Sequence, residues 1–410
     1  MKGFSTKAIH GGLNKTEAHG ALRTPVYDTV AFEHDSARSL QLAFEGKSPG
    51  HVYSRISNPT VQDFEQKIRL LSGGAAVLAV ASGMAAISTT FFALAEAGSN
   101  IVTTRHLFGN SLSLLEKTFA PWGLEIRFVS MSDPAEVDKA IDGNTRAVYL
   151  ESITNPQLEV ADCGKLGKIT KDKGIPLILD NTLMTPYLFN TKNVGVDIEL
   201  LSTTKYISGG ATSLGGIIID NGTFDWRQSP KLADNAIKVG PMAFIATLRQ
   251  EVFRNIGACL SPHNAYLQNL GIETMSLRID KSCANTKILA EFLEGHPKVK
   301  AAHYPGLSSS PFHEIASRQF HGKFGGVLTF DLQDQNSCFT FIDNLNIIRR
   351  ATNVNDNKTL ILHPFTTIFA EYSEKAKHEI GIRPTMIRLA VGIEDHQDLL
   401  EDLQKGFNAL

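Results

Sequence analysis

At 410 residues the chain is too long for one compact core, so two domains or more are expected. With 40 basic against 42 acidic residues, it offers neither a basic stripe for nucleic acid nor a polybasic anchor for a membrane. A composition of 42% hydrophobic and 20% charged residues is that of an ordinary soluble globular protein.

The first sixty residues are rich in turn signals (GG, TP, SPG, NPT) and cannot bury much of themselves. They read as an arm (1–60) that leans on something else, a second subunit being one candidate. Its opening residues, MKGFSTKAIHGG, contain no apolar signal region, and no stretch is long enough to span a bilayer, so a cytoplasmic protein is expected. From about residue 60 to 220 strand-like and helix-like runs alternate. VLAVA leads into SGMAAISTTFFALAEAG, NIVTT into SLSLLEKTFAPWG, LEIRFVS into PAEVDKAID, and RAVYLES into GKLGKITKDKG and then PLILD. Short apolar runs separated by amphipathic helices predict an α/β fold with a mostly parallel sheet covered on both faces. This large unit is expected over 61–255. A smaller C-terminal α/β unit, 256–410, opens with a long helical stretch, has strands near 324–332 and 386–393, and ends in the helix QDLLEDLQKGFNAL. Cys163, Cys259, Cys283 and Cys338 are scattered with no zinc-like spacing, and His313-Glu314 lacks a second His at position 317, which is Ser. No metal site is expected.

The most specific chemistry lies in two stretches, ILDNT around Asp180 and LLSTTKYISGG around Lys205. Each polar residue follows a β-like run, and strand ends of a parallel sheet are where two such groups can meet at one ligand. A lysine able to form a Schiff base, with an acid to keep a pyridine nitrogen protonated, is what pyridoxal phosphate requires. The hydroxyls of Ser202 and Thr204 could hold its phosphate. Gly83 and Met84 open a helix whose free N–H groups could bind the same anion, although Ser82-Gly83 also reads as a plain N-cap. Phe108 could stack on a flat ring or sit in a core. Asn155-Pro156 places an amide near the same sheet edge, or is simply a turn. Arg388, a charge inside the apolar MIRLAVG strand, meets either an internal carboxylate or a substrate carboxylate.

Taken in order, TKAIHGG, TPVYDTVAF, YSRISNPT, SGMAAI, ESITNP, DNT, STTKYISGG, SPHNAYLQNLGIETMSLR, YPGL and MIRLAVGIED resemble the trans-sulfuration family of pyridoxal-phosphate enzymes, which has the aminotransferase-like fold. The resemblance covers nearly the whole chain. It implies that Lys205 carries the cofactor, that Asp180 partners the pyridine nitrogen, and that Gly83, Met84, Ser202 and Thr204 hold the phosphate. It further implies that Tyr53 and Arg55 reach the phosphate of a neighbouring subunit's cofactor, Tyr53 counting also as catalytic. Asn155 would touch the ring hydroxyl, while Arg388 and Asn353 would hold the substrate carboxylate. A homotetramer, built as a dimer of dimers with shared sites, is implied too.

Within the family, four features point to the O-acetylhomoserine sulfhydrylase group, and one departs from it. Many members have Tyr where Phe108 stands, and the missing phenol favours an acyl leaving group over a thiolate. Methionine γ-lyases have Cys where Asn110 stands. Residues 353–356 (NVND) with Lys358-Thr-Leu resemble the sulfhydrylases' NVGD…KSL segment, and the insertion NGTFDWRQSPKLADNAIKVGPMAF is also of their type. After His363-Pro364, however, the run 365–369 (FTTIF) is more apolar than theirs. The expected reaction is γ-replacement on O-acetyl-L-homoserine with a sulfur donor such as sulfide, giving homocysteine and acetate. The alternatives are a cystathionine γ-synthase or γ-lyase and, more remotely, a non-catalytic scaffold on the same fold.

Overall fold

The computed structural model describes residues 3–12 and 19–410. Seven strands form the first sheet: β1 (Ala76–Val80), β2 (Asn100–Thr103), β3 (Glu125–Phe128), β4 (Thr145–Glu151), β5 (Leu177–Asp180), β6 (Ile198–Ser202) and β7 (Gly216–Asp220). Their order is β1-β7-β6-β5-β4-β2-β3. All pairs from β6 to β3 are parallel, whereas β7 is antiparallel to both of its neighbours. The expected α/β class and mostly parallel sheet are therefore what the chain adopts. β7 was not among the expected strands, although its run GIIID is as apolar as theirs.

Alternate side chains of these strands enter two separate cores. Leu177, Leu179, Leu201, Ile217 and Ile219 face one, and Ile178, Ile198, Leu200 and Ile218 face the other. Burial on both faces is why the strands read as unbroken apolar runs rather than as alternating ones. The first core continues into a second sheet, of β8 (Ala301–His303), β9 (Val327–Asp331), β10 (Arg349–Arg350), β11 (Leu360–Leu362) and β12 (Met386–Ala390), in the order β10-β11-β12-β9-β8. The helical stretch expected near 265–296 resolves into two helices, Pro262–Glu273 and Met275–Glu294.

The start of the chain leans on its own body. The helix Phe4–His10 sets Phe4 4.8 Å from the Tyr187 ring and the Ser5 hydroxyl 3.0 Å from that of Ser276. Residues 19–58, by contrast, stand largely in solvent, with Leu22 88% and Phe44 64% exposed.

One close approach fixes the ground behind the site. The turn after Lys205 (Tyr206–Ser208) crosses the helix Pro262–Glu273 backbone to backbone, and a β-carbon on Gly271 would fall 2.6 Å from the Gly209 nitrogen. Alanine is favoured over glycine in a helix by about 1 kcal/mol. Overpacking against a backbone that cannot retreat costs about 3 kcal/mol, so the overlap wins. Gly271→Ala is expected to lower the urea unfolding midpoint at fixed protein concentration, and an unchanged or raised midpoint would refute the crossing as a constraint.

Candidate functional site

Strands β4, β5 and β6 end together at one sheet edge, on Glu151, Asp180 and Ser202. Glu151 and Asp180 are direct register partners. A cavity of about 250 Å³ opens over this edge. Its wall collects Gly83 and Met84 from the helix Gly83–Leu94, Asp180, Ser202, Thr204 and Lys205 from strand ends and the following turn, and Phe108, Asn155 and Arg388.

One end of the cavity is a cradle of backbone donors. Ser82 caps its helix by accepting the Ala85 N–H at 3.0 Å, and the Ser82 carbonyl accepts from Ala86. This leaves the Gly83 and Met84 N–H groups without a partner among the described residues, at the positive end of a twelve-residue helix. The helix start is pressed onto β6 and β7. A β-carbon on Gly83 would fall 2.7 Å from that of Ser202, and one on Gly216 would run into the Ser82 carbonyl. Glycine at both points lets the N–H groups and the Ser202 hydroxyl face the same space. Thr204 spends its hydroxyl on Gly215, donating to the carbonyl (3.3 Å) and accepting from the N–H (3.2 Å).

The middle of the cavity holds the titrating groups. Asp180 accepts the Thr182 N–H at 3.0 Å, and the Thr182 hydroxyl accepts the Ser202 N–H at 2.7 Å. Burial holds the Asp180 carboxyl above the usual carboxylate range. Burial, then the positive charge of Arg388, brings the Lys205 amine down to about 8. Lys205 Nζ donates to Asn353 Oδ1 at 2.6 Å.

Arg388 is fully buried and has no carboxylate partner among the described residues. Its guanidinium donates to the carbonyls of Thr352 and Asn353 (3.1 Å each) and, at 3.4 Å, to Asn155 Oδ1, while Nε finds no acceptor. Burial lowers it to about 10. Of the two readings open from sequence, the internal carboxylate is absent. A buried guanidinium that faces a cavity with only neutral partners is an anion receptor.

Glu151, not singled out from sequence, joins two loops. Oε1 accepts the Phe108 N–H (2.6 Å) and Oε2 the Asn155 N–H (3.3 Å). The available signal was its place: it ends β4 in ESITNP as Asp180 ends β5. Phe108 is held from behind as well. The Tyr372 hydroxyl donates to the Gly109 carbonyl at 3.2 Å, and a β-carbon on Gly109 would lie 3.0 Å from the Ile368 carbonyl and 3.5 Å from the Phe369 ring. The apolar run 365–369 therefore packs on the turn that carries Phe108, with Phe365 and Phe369 buried.

The loop after β10 lies along the same edge, and every second residue reaches across to it. Asn353 meets Lys205, Asn355 Nδ2 donates to the Thr182 carbonyl (3.4 Å), and Asn357 Nδ2 donates to the Gly209 carbonyl (2.9 Å). Asn355 has a left-handed backbone (φ 57°), which explains how this chain has Asn where the NVGD pattern has Gly: both tolerate that conformation. Asn353 does not line the cavity; its amide nitrogen donates to Asp356 Oδ2 at 3.2 Å.

Tyr53 and Arg55 stand apart from this cavity. Tyr53 is 41% exposed, the Arg55 guanidinium lies 5.4 Å from its ring centroid, and Arg55 donates to the Arg254 carbonyl at 2.5 Å. Among the described residues no helix is long and apolar enough to cross a membrane, and no three or more His, Cys, Asp or Glu side chains group as metal ligands.

A model of Cys/Met metabolism PLP-dependent enzymes matches residues 5–408. Among solved structures, an O-acetylhomoserine sulfhydrylase from Wolinella succinogenes is 49% identical, with a TM-score of 0.78, over 86% of this chain and 98% of its own. A putative O-acetylhomoserine (thiol)-lyase from Campylobacter jejuni is 32% identical, with a TM-score of 0.92 over 99% of both chains, and carries N'-pyridoxyl-lysine-5'-monophosphate at its position 205. L-methionine gamma-lyase of Pseudomonas putida is 35% identical over 100% of this chain and 98% of its own length. Pyridoxal phosphate is thus the cofactor, and the site fits it. The side-chain-free cradle suits a phosphate, and a buried acid and an amine of depressed basicity stand within one cavity.

The shifted amine has a measurable consequence. In the full chain stripped of cofactor, acylation of Lys205 mapped by peptide mass is expected to be half-maximal near pH 8, against about 10.4 for an ordinary lysine. Because the folded value lies below the unfolded one, the unfolded chain binds the extra proton between those two pH values. Stability of the stripped protein should therefore rise with pH across that window. A labelling midpoint near that of surface lysines would contradict the burial of this amine.

Proposed function

This chain belongs to the Cys/Met metabolism PLP-dependent enzymes, and we propose that it is a transferase that replaces the acetoxy group of O-acetyl-L-homoserine with sulfur from sulfide, yielding L-homocysteine and acetate. The observation that carries this reading is the make-up of the cavity wall. It offers a buried guanidinium without a carboxylate partner, and it contains no Tyr, His or Cys among its described lining residues. An amino-acid carboxylate suits Arg388. With Phe108 in place of a phenol, the wall that this subunit supplies has no such acid beside the ring to protonate a departing thiolate, whereas acetate leaves without that help. The likeness to the O-acetylhomoserine sulfhydrylase of Wolinella succinogenes supports the same choice.

When bound, pyridoxal phosphate supplies an electron sink for charge developing on the substrate carbons. Asp180, at the end of β5, would keep the pyridine nitrogen protonated. Gly83, Met84 and Ser202 would hold the phosphate, Thr204 joining them by turning its hydroxyl away from the Gly215 carbonyl, and Phe108 and Asn155 would lie against the ring and its hydroxyl. Arg388 binds the substrate carboxylate, and Lys205 moves protons at the α and β carbons. Orientation of this kind supplies ~7–11 kcal/mol of a barrier in favourable cases.

The test is to offer purified protein O-acetylhomoserine with sulfide, cysteine or methanethiol, and separately cystathionine and methionine, and to identify the products. Homocysteine from sulfide is expected at least about tenfold faster than cleavage of either thioether, a difference of about 1.4 kcal/mol in barrier. Equal rates would favour the γ-lyase reading, for which the similarity to methionine gamma-lyase speaks. Cystathionine as the main product from cysteine would favour a synthase.

We also propose that sites are completed across a dimer, two dimers making a tetramer. Tyr53 and Arg55 sit on an exposed segment outside their own cavity, and a planar guanidinium suits a phosphate. Arg55→Ala and Lys205→Ala proteins, each nearly inactive, should regain activity when mixed and re-associated. Random pairing makes about half the dimers mixed, each with one intact site, so about a quarter of wild-type activity is expected. No recovery despite verified subunit exchange would place Arg55 at its own subunit's site.

A further inference from the structure

We infer that Asp356 is a positioning residue: it fixes which way the Asn353 amide faces and so sets where the free Lys205 amine is held while it carries protons. The inference rests on Lys205 being the working amine. Its geometry is a three-member chain. Lys205 Nζ donates to Asn353 Oδ1 at 2.6 Å, Asn353 Nδ2 donates to Asp356 Oδ2 at 3.2 Å, and Asp356 Oδ1 accepts the Lys358 N–H at 3.2 Å.

The two ends of this chain leave the amide one orientation. A protonated amine only donates and a carboxylate only accepts, so Asn353 must turn its oxygen to Lys205 and its nitrogen to Asp356. Without the carboxylate, the amide can turn over and present an N–H to the amine, which repels it. The Asn353 backbone carbonyl meanwhile accepts from Arg388 at 3.1 Å. One residue therefore spaces the proton carrier from the group that receives the substrate carboxylate. The relay reaches Lys205 from outside the cavity, since neither Asn353 nor Asp356 lines it. Its effect should fall on the rate of proton movement rather than on binding.

The charged and titratable groups facing Lys205 come from four elements. Arg388 on β12 pushes its proton affinity down, Asp356 and Asp180 pull it up, and Glu151 on β4 lines the same cavity. Removing the Asp356 charge should move the Lys205 midpoint further down from about 8.

Asp356→Asn, Asp356→Glu, Asn353→Ala and the Asp356→Asn/Asn353→Ala pair test this in the full-length holoenzyme. Cofactor content and thermal unfolding establish that each variant is folded and loaded. Asp356→Asn is expected to lower kcat about tenfold at unchanged KM, but less than about twofold in the Asn353→Ala background, because it acts through that amide. Asp356→Glu should restore kcat to within about threefold of wild type. After removal of cofactor, the pH midpoint for acylation of Lys205 should be lower in Asp356→Asn than in wild type. An equal cost of Asp356→Asn in both backgrounds, or a labelling midpoint that does not move, would overturn the inference. Lys205→Ala protein that still shows a borohydride-reducible lysine–cofactor adduct would sink instead the assignment of Lys205, a separate failure with its own readout.

Discussion

Two cations share one buried cavity, and no carboxylate among the described residues neutralises the more deeply buried of them. Arg388 is fully buried and answered only by neutral carbonyl and amide oxygens. Removing a charge from water costs several kcal/mol even after relaxation, so the fold must concentrate dipoles around it. The loop after β10 does so by turning two consecutive carbonyls, those of Thr352 and Asn353, onto the guanidinium. Burial, and then the Arg388 charge, lowers the proton affinity of Lys205. A site whose buried guanidinium meets only neutral oxygens among the described residues, and whose phosphate cradle is a helix N-terminus, suits ligands bearing a phosphate and a carboxylate.

The geometry around those cations depends on backbone contacts that tolerate no side chain. Gly83 and Gly216 bring a helix start onto two strands, Gly209 and Gly271 cross behind the lysine turn, and Gly109 meets the Ile368 carbonyl. Between these contacts Glu151 divides its oxygens between the loops that carry Phe108 and Asn155. The cavity is thus framed from the sheet, from the helix starts and from the second sheet's loops. Its shape follows from main-chain packing more than from any one lining side chain.

Legibility from the sequence followed the range of the interactions involved. Apolar runs buried on both faces announce a parallel sheet, and most of its strands were visible for that reason. Gly216–Asp220 carries the same apolar run, buried on both faces, but follows a glycine-rich stretch and was not counted; its antiparallel course is set by pairing that the sequence does not display. Asp180, Lys205 and Gly83 stood out because each follows a strand-like run at the edge where ligands bind. Glu151 had the same position but drew no notice, since its partners are backbone N–H groups that a sequence does not display. Asn355 and Asn357 act on residues far back in the chain, and although Asn355 lies in the NVND segment, nothing local shows what either one reaches. The run 365–369 looked anomalous for a substrate pocket, yet Phe365 and Phe369 are buried in the second core, and the segment braces the turn at Gly109. Asn353 was expected at the substrate carboxylate; its side chain spans Lys205 and Asp356, contacts that no local pattern announces.

The asparagine series along residues 353–357 also bears on how the two sheets respond to salt. Asn355 and Asn357 join them through neutral amides on backbone carbonyls, contacts that carry no net charge for mobile ions to screen. The outer contact between the same regions is different. Lys117 pairs with Glu371 at 2.6 Å, and both side chains are half exposed. At 1 M ionic strength the screening length falls to about 3 Å, enough to weaken that outer pair while the amide seam keeps its strength. The register of the loop beside Lys205 is thereby insulated from the ionic composition of its surroundings, and the turn carrying Phe108, tied to the outer pair through Tyr372, is the part of the site left sensitive to it.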